Sequence, residues 1–252
     1  MNNSKLVLNS EFGNFETFLM NIKDYFNQNS NTIHKARNEL KVIDYEGLSL
    51  VVKSFKIPHI INRFVYTHYK PSKAKKSYDN AIKLITLGIN TPTPLGYIEF
   101  FENGLIKESF FVSIKFEYDF TIREPLLDIG FDNKEEILKE FGEFTFDLHN
   151  NGILHNDYSP GNILIKKSFN SYIFSIVDIN RMEFKELYYD ERLKNFAKLW
   201  ASDDDLITIV QSYAASAGMN EKRAIEDALK YSHAHKARIN FKKRLKGIKV
   251  VD

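Results

Sequence analysis

Apolar and polar positions alternate along much of the first half of the chain, which predicts short β-strands over residues 30–118. Four strands are predicted, at residues 39–45, 48–55, 95–101 and 105–114. The Glu46-Gly47 break between the first two is typical of a hairpin turn. The first half is therefore expected to be rich in β-structure.

One helical pattern interrupts these strands, over residues 72–87. Its apolar residues recur at the spacing of one helix face: Ala74, Tyr78, Ala81, Ile82 and Ile85. Ser72 is placed to cap the helix at its start, and Gly88 to end it.

After about residue 120 the apolar spacing becomes helical. Thr121 and Glu124 have the spacing of a capping box, and Asn133 precedes a second helical pattern that ends near residue 150. A hairpin at 162–166 and 172–177 is followed by further helices. These helices are predicted near residues 190–201, 203–216 and 220–245. The pattern predicts an α+β protein with two lobes and a cleft between them.

The composition excludes several kinds of protein. Of the 252 residues, 35 are Lys or Arg and 33 are Asp or Glu, so the net charge of +2 gives no support to nucleic-acid binding by the whole chain. There is no Cys, which excludes disulfides, thiolate nucleophiles and cysteine-ligated zinc. The first residues lack the pattern of a secretory signal, and no apolar run approaches the roughly 18 residues of a membrane span. We expect a soluble, cytoplasmic protein.

The segment 152–165 carries the strongest chemical signal. It contains His155-x-Asp157 with Asn162 five residues after the Asp, and Asp178 follows at the end of an apolar strand. A carboxylate can orient an acceptor hydroxyl and take its proton, and carboxylate and amide oxygens suit Mg²⁺. The alternative is that Asp157 and Asn162 are ordinary turn residues and Asp178 a strand-end cap.

This segment resembles the catalytic and metal-binding loops of the protein-kinase-like fold. The resemblance implies a small β-rich N-lobe over residues 1–118 and a mainly helical C-lobe over 119–252. It implies that Asp157 is the catalytic base and that Asn162 and Asp178 hold Mg²⁺ on ATP. It also implies that His155 packs beneath the loop and is not a base.

Leu50-Val-Val-Lys53 resembles the strand that supplies the ATP-phosphate lysine of this fold. The resemblance implies that Val51 covers the adenine and that Lys53 reaches the α- and β-phosphates. Lys56 is the competing lysine. The predicted helix 72–87 is expected to supply an acid that pairs with Lys53, and Asp79 is the candidate.

Several departures count against an ordinary protein kinase. No G-x-G-x-x-G precedes Lys53, and the corresponding turn is the basic segment 34–38. Asn180 stands where the Gly of Asp-Phe-Gly is usual, and Asn tolerates a left-handed conformation there. Asn156 and Ser159 replace the usual Arg before the catalytic Asp and the usual Lys two residues after it.

Three segments are most similar to the bacterial lipopolysaccharide core kinases, which act on heptose and Kdo. The segments are Leu87-Gly-Ile-Asn-Thr-Pro-Thr-Pro94, Asn156-Asp-Tyr-Ser-Pro-Gly-Asn162 and Asp178-Ile-Asn-Arg-Met182. The resemblance covers roughly residues 30–200. It implies transfer of the ATP γ-phosphate to a sugar hydroxyl of a glycolipid at the inner face of the membrane.

The C-terminal segment 228–249 contains eight Lys or Arg and no acid, interleaved with apolar residues. It could lie on an anionic membrane or bind a phosphorylated glycolipid, and the alternative is a solvated helix packed by its apolar stripe. Other readings of the whole chain stay open. They are a kinase of an aminoglycoside, a choline-like alcohol or a protein, and a nucleotide-binding pseudokinase.

Overall fold

The computed structural model describes residues 3–35, 38–56, 60–169 and 171–248, and it divides into two compact units. The N-terminal unit comprises Met1–Glu117 together with Asp178–Asn180. The C-terminal unit comprises Tyr118–Val177 and Arg181–Asp252. The short segment Asp178–Asn180 thus belongs to the first unit although both of its flanking segments belong to the second.

The N-terminal unit contains a six-stranded antiparallel sheet. Its strands are β1 (Ser4–Leu8), β2 (Thr32–Lys35), β3 (Asn38–Tyr45), β4 (Leu48–Lys56), β5 (Pro94–Glu102) and β6 (Leu105–Ile114), in the order β1-β5-β6-β4-β3-β2. The predicted hairpin joins β3 to β4, with positive φ at both Glu46 (47°) and Gly47 (78°). Two left-handed residues match the twist of the paired strands, as in a type I′ turn.

Within the described residues of this unit, four α-helices accompany the sheet. They are α1 (Glu16–Met20), α2 (Ile22–Gln28), α3 (Ile60–His68) and α4 (Lys73–Thr86), with a 3₁₀ helix at Ser10–Phe15 before α1. Aromatic and aliphatic residues of the N-terminal helices and the sheet form one buried cluster. Its members are Phe15, Phe18, Leu19, Ile22, Phe26, Ile43, Leu50, Val52, Leu95, Ile98, Phe110 and Val112. Removal of their apolar surface from water stabilises this layer.

Helix α4 confirms the prediction for residues 72–87. The Ser72 hydroxyl accepts a hydrogen bond from the Lys75 amide at 3.0 Å, and Gly88 ends the helix with a φ of 74°. The expectation of a single helix among the strands is wrong, because α3 is also present. Helix α3 has only nine residues, and a pattern this short gives a weak signal in the sequence; its Ile61 and Phe64 are exposed. Arg63 anchors α3 by donating hydrogen bonds to carbonyl groups of β5 and β6.

The C-terminal unit is mainly helical, with two small sheets. Its strands are β7 (Phe120–Thr121), β8 (Ile153–His155), β9 (Ile163–Ser168), β10 (Ser171–Ile176) and β11 (Met182–Phe184). Its helices are α5 (Arg123–Leu127), α6 (Lys134–Asn150), α7 (Tyr189–Phe196), α8 (Asp203–Ala217) and α9 (Glu221–Leu245). The sheets have the orders β10-β9-β7 and β11-β8. The predicted fold class, α+β with a helical second half, is confirmed.

The helix ends in this unit follow the predicted capping residues with one difference. The Glu124 carboxylate accepts hydrogen bonds from the amide and the hydroxyl of Thr121 at 2.9 and 2.6 Å. Asn133 precedes α6 as expected, but it adopts a left-handed φ of 56° and its side chain makes no capping bond. Helix α6 packs closely on α8 at Gly142, where a Cβ would collide with the Ile209 carbonyl oxygen. Among the described residues, no helix is long and apolar enough to cross a bilayer.

Candidate active site

Lys53 lies in a central strand of the N-terminal sheet, and its side chain is mostly buried. Its ammonium nitrogen is 2.5 Å from Oδ1 of Asp178, a residue 125 positions further along the chain. Such a charge-assisted hydrogen bond is among the stronger polar contacts of proteins. The structure therefore brings together the predicted phosphate lysine and the predicted metal ligand.

Two asparagines hold the Asp178 segment. The Asn180 amide donates to Asp178 Oδ1 at 2.7 Å, and the Asn80 amide of α4 donates to the Ile179 carbonyl at 2.7 Å. Asp178 itself has a φ of 55°, a conformation that costs an L-residue about 1 kcal/mol. The expectation that Asn180 would be the left-handed residue is wrong, since Asn180 lies in a short 3₁₀ helix and the positive φ falls on Asp178.

The expected pairing of Asp79 with Lys53 is also wrong. The Asp79 carboxylate is 2.9 Å from Lys75, four residues earlier on α4, and this hydrogen bond raises the pKa of Lys75. Residues four apart lie on the same side of a helix, which explains the pairing. The following residue, Asn80, is the one that contacts the Asp178 segment.

Val51 lies on the same face of β4 as Lys53, because side chains alternate along a strand. It is half-buried and pairs in register with Val42 and Ser113. Lys56, the competing lysine, is exposed at the end of the strand. The basic turn 34–38 that would replace a glycine loop includes residues 36 and 37, which lie outside the described residues.

Asp157 lies in the C-terminal unit, in the loop that follows β8. Its carbonyl oxygen accepts hydrogen bonds from the Ser159 amide at 2.7 Å and from the Asn162 side-chain amide at 2.8 Å. Its carboxylate is 39% exposed. The loop backbone is thus fixed while the carboxylate remains accessible to a substrate.

His155 is buried beneath this loop, as the resemblance implied. Its Nδ1 accepts a hydrogen bond from the Asp157 amide at 3.0 Å, so the proton lies on Nε2, which donates to the Val177 carbonyl at 2.9 Å. Both ring nitrogens are engaged with the backbone. His155 therefore holds the loop and does not offer a base.

A buried polar network extends from this loop to α6, α7 and α8. Asn195 donates to the His155 carbonyl at 3.1 Å and accepts from Nε2 of His149 at 3.2 Å, while the Tyr213 hydroxyl donates to Nδ1 of His149 at 3.0 Å. Burial lowers the pKa of His149 to about 4, so the ring is neutral at pH 7. Each polar group has a partner, which makes the loop support rigid.

Two cations near Asp157 were missed by the sequence analysis. Arg181 is 3.6 Å from Asp157 Oδ2, and Lys198 donates a hydrogen bond to the Asn156 carbonyl. Antiparallel pairing of β8 with β11 sets His155 opposite Met182 and so brings Arg181 next to the loop. This pairing joins strands of only three residues, which carry little sequence signal.

The oxygen donors suit a magnesium ion. Asn162 uses its amide nitrogen to bond the Asp157 carbonyl, so its side-chain oxygen Oδ1 is available as a ligand. Asp178 supplies a carboxylate. Among the described residues, no group of three or more His, Asp or Glu side chains could hold a metal. Mg²⁺ that is bound largely by water and substrate phosphates needs only one or two protein ligands, and a carboxylate or an amide oxygen is the kind of donor that it takes.

No protein-family model matches the chain. A protein kinase and PP2C-like domain-containing protein of Arabidopsis thaliana is 26% identical over 120 residues, which are 48% of this chain and 16% of that protein. The solved structure of WaaP in complex with acyl carrier protein matches 93% of this chain and 97% of its own chain, with a TM-score of 0.63 and 14% identity. The fold is protein-kinase-like.

This likeness confirms the resemblance that the sequence motifs indicated, at the level of the fold. In the protein-kinase-like fold, a strand lysine and a metal-binding aspartate handle the nucleotide and a loop aspartate faces the acceptor. Here Lys53 and Asp178 are paired in one unit, and Asp157 and Asn162 are paired in the other. An acidic residue of α4 was expected to pair with Lys53. In the described structure, Asp178 makes this ion pair instead.

Proposed function

We propose that the protein is an ATP-dependent kinase that transfers the γ-phosphate to an alcohol group. The Lys53–Asp178 ion pair supports this function best, because it joins two predicted nucleotide residues that are 125 positions apart. Lys53 is proposed to bind the α- and β-phosphates, with Val51 against the adenine. Asp178 and Asn162 are proposed to hold Mg²⁺, which neutralises the developing phosphate charge.

The proposed transfer needs one base. The acceptor oxygen forms a bond to the γ-phosphorus while the bond between that phosphorus and the bridging oxygen breaks. The electron pair of the broken bond leaves with ADP, and the acceptor proton passes to the Asp157 carboxylate. The partial exposure of this carboxylate and the fixed backbone behind it support the assignment.

For the acceptor, we propose a sugar hydroxyl of a lipopolysaccharide core or related glycolipid. The support is the sequence resemblance of the segments 87–94, 156–162 and 178–182 to the lipopolysaccharide core kinases. On this proposal the protein works in the cytoplasm at the inner membrane face. Small soluble alcohols, a protein acceptor and a pseudokinase without transfer are the alternatives that the experiment must separate.

The experiment is transfer from γ-labelled ATP to a panel of acceptors. The panel contains core glycolipid, aminoglycoside, choline and a generic protein, and each is tested with the parent, Asp157→Ala and the control Asp132→Asn. Asp132 is an exposed acid of the same unit. We expect labelled glycolipid with the parent and the control, and none with Asp157→Ala. Equal transfer by Asp157→Ala would exclude the proposed base, and turnover of a soluble alcohol alone would identify a different acceptor.

We also propose that the end of α9 contacts an anionic membrane. Phe241, Leu245 and Ile248 are 61%, 71% and 51% exposed, in a segment that is rich in lysine and arginine. Apolar side chains among cations are typical of helices that lie at a lipid interface. Sedimentation with phosphatidylglycerol vesicles tests the contact. Phe241→Ser/Leu245→Ser should reduce binding, while Leu127→Ser/Ile129→Ser, which removes exposed apolar side chains elsewhere, should not.

A further inference from the structure

A group of cationic side chains lies beside Asp157 within the C-terminal unit. Arg181 is 3.6 Å from the Asp157 carboxylate, and Lys198 bonds the carbonyl of the residue before it. Helix α9 packs against the 3₁₀ helix Ala197–Leu199, which carries Lys198, and Arg238 of α9 is close enough for its charge to act on Lys198. We call Arg181, Lys198 and Arg238 the cation cluster.

Lys198 is half-buried, and among the described residues no carboxylate lies within ion-pair distance of its ammonium nitrogen, whereas Arg181 is close to Asp157. Burial lowers the pKa of Lys198, the charges of Asp157 and Glu183 oppose this, and the charges of Arg181 and Arg238 lower it further. A bound anion would relieve the repulsion among these three cations.

Arg238 is oriented by its neighbour on the helix. Its guanidinium is 3.4 Å from Nδ1 of His235, to which it can donate. Burial, Arg238 and Lys198 all lower the pKa of His235, so this ring accepts from Arg238 without adding a fourth charge. The Trp200 ring lies 6.1 Å from the His235 ring, centroid to centroid. The exposed guanidinium therefore has a fixed partner on one side and solvent on the other.

We propose that the cation cluster binds a phosphate or carboxylate group of the acceptor, and so holds the reacting hydroxyl at Asp157. This inference rests on the proposed function and narrows the acceptor to an anionic alcohol. Arginine and lysine side chains are the usual ligands of such groups. The cation cluster lies beside the proposed base, whereas the basic end of α9 is proposed to contact the membrane.

The first test is binding of inorganic phosphate to the full chain at constant ionic strength, by calorimetry and by the fluorescence of Trp200, the one tryptophan in the chain. We expect saturable binding that is weakened about tenfold in Lys198→Gln and in Arg238→Gln, and retained in Lys198→Arg. The control Lys222→Gln/Lys230→Gln removes two exposed charges of α9, the helix that carries Arg238, and should bind phosphate like the parent. Because the Arg238 side chain is exposed, we expect Arg238→Gln to fold like the parent. No saturable binding, or equal binding by all variants, would overturn the inference.

The second test separates this inference from the proposed function. Mg²⁺-ATP affinity should be the same in the parent and in the cluster variants, while the KM for a phosphorylated glycolipid rises about tenfold and that for its dephosphorylated form does not. A loss of Mg²⁺-ATP affinity in Arg238→Gln would assign the cluster to the nucleotide instead. Weakened binding to phosphatidylglycerol vesicles without a change in phosphate affinity would assign it to the membrane. Transfer activity without phosphate binding would leave the kinase proposal standing and this one refuted.

Discussion

In the N-terminal unit, Lys53 and Asp178 are held by a direct charge pair, whereas in the C-terminal unit Asp157 is held through its backbone by hydrogen bonds. The first arrangement joins residues far apart in sequence. The second joins residues within a few positions of each other, with His155 and Asn162 as the main partners. The Lys53–Asp178 pair uses side-chain charges that a bound nucleotide and its metal would also contact, whereas the contacts that hold the Asp157 loop use backbone groups and leave its carboxylate out.

We expect the largest loss of activity from a substitution in the loop that carries Asp157. Asp157→Asn removes the proposed base and its charge contact with Arg181, but it keeps the hydrogen bonds that the backbone of Asp157 makes within the loop. We expect kcat to fall about 10³-fold, within the range of general-base contributions, and Mg²⁺-ATP affinity to stay at the parent value. Steady-state rates and calorimetry measure the two quantities. Equal losses of both would mean that Asp157 acts on the nucleotide.

The next effect concerns the charge pair. Lys53→Met should lower kcat/KM for ATP about 10²-fold, because it removes a mostly buried cation that we propose binds the phosphates. Lys56→Met changes an exposed lysine at the end of the same strand and is the matched control. If Lys56→Met gives the larger loss in ATP titrations, the competing assignment is correct.

A third prediction concerns His149, which belongs to the buried network that supports the Asp157 loop, and the pH dependence of the free energy of unfolding. The folded pKa of His149, about 4, lies below its ordinary value of 6.5, so the unfolded chain binds more protons between these values. The free energy of unfolding should therefore be at its full value above pH 6.5 and fall by about 3 kcal/mol as the pH drops through 4.

Urea unfolding at pH 7 and pH 4.5 measures this change. His149→Gln should flatten the pH dependence, because the buried ring that binds a proton only on unfolding is then absent. An unchanged slope in His149→Gln would show that the network does not keep this ring neutral.

The smallest expected effect concerns the segment that carries Asp178. Asn80→Ala removes the hydrogen bond to the Ile179 carbonyl, which is worth about 1 kcal/mol. Mg²⁺-ATP affinity should fall by about fivefold, while Asn90→Ala, at an exposed asparagine after α4, should have no effect. Equal affinities in both variants would show that Asn80 does not position Asp178.

The features that could be predicted from the sequence are those that depend on residues a few positions apart. The β3–β4 hairpin, the Ser72 cap and the two strands before residue 114 follow from turn residues and alternation, which act over a few positions. Helix α3 and the N-terminal helices were missed because they are short.

The parts of the site that depend on contacts between distant segments could not be predicted. The choice of Asp178 over Asp79 as the partner of Lys53 is a result of chain topology, which spacing does not report. The same holds for Arg181, which reaches Asp157 only through the pairing of β8 with β11. The chemistry of the loop was readable because its residues lie within eight positions of each other.

Asp178 is proposed to hold the metal-bound nucleotide, and calorimetric titration of Mg²⁺-ATP into the parent and into Asp178→Asn measures this role. We predict saturable, Mg²⁺-dependent binding by the parent and a loss of at least tenfold in affinity for the variant. Unchanged affinity in Asp178→Asn, or binding by the parent that does not depend on Mg²⁺, would contradict this role.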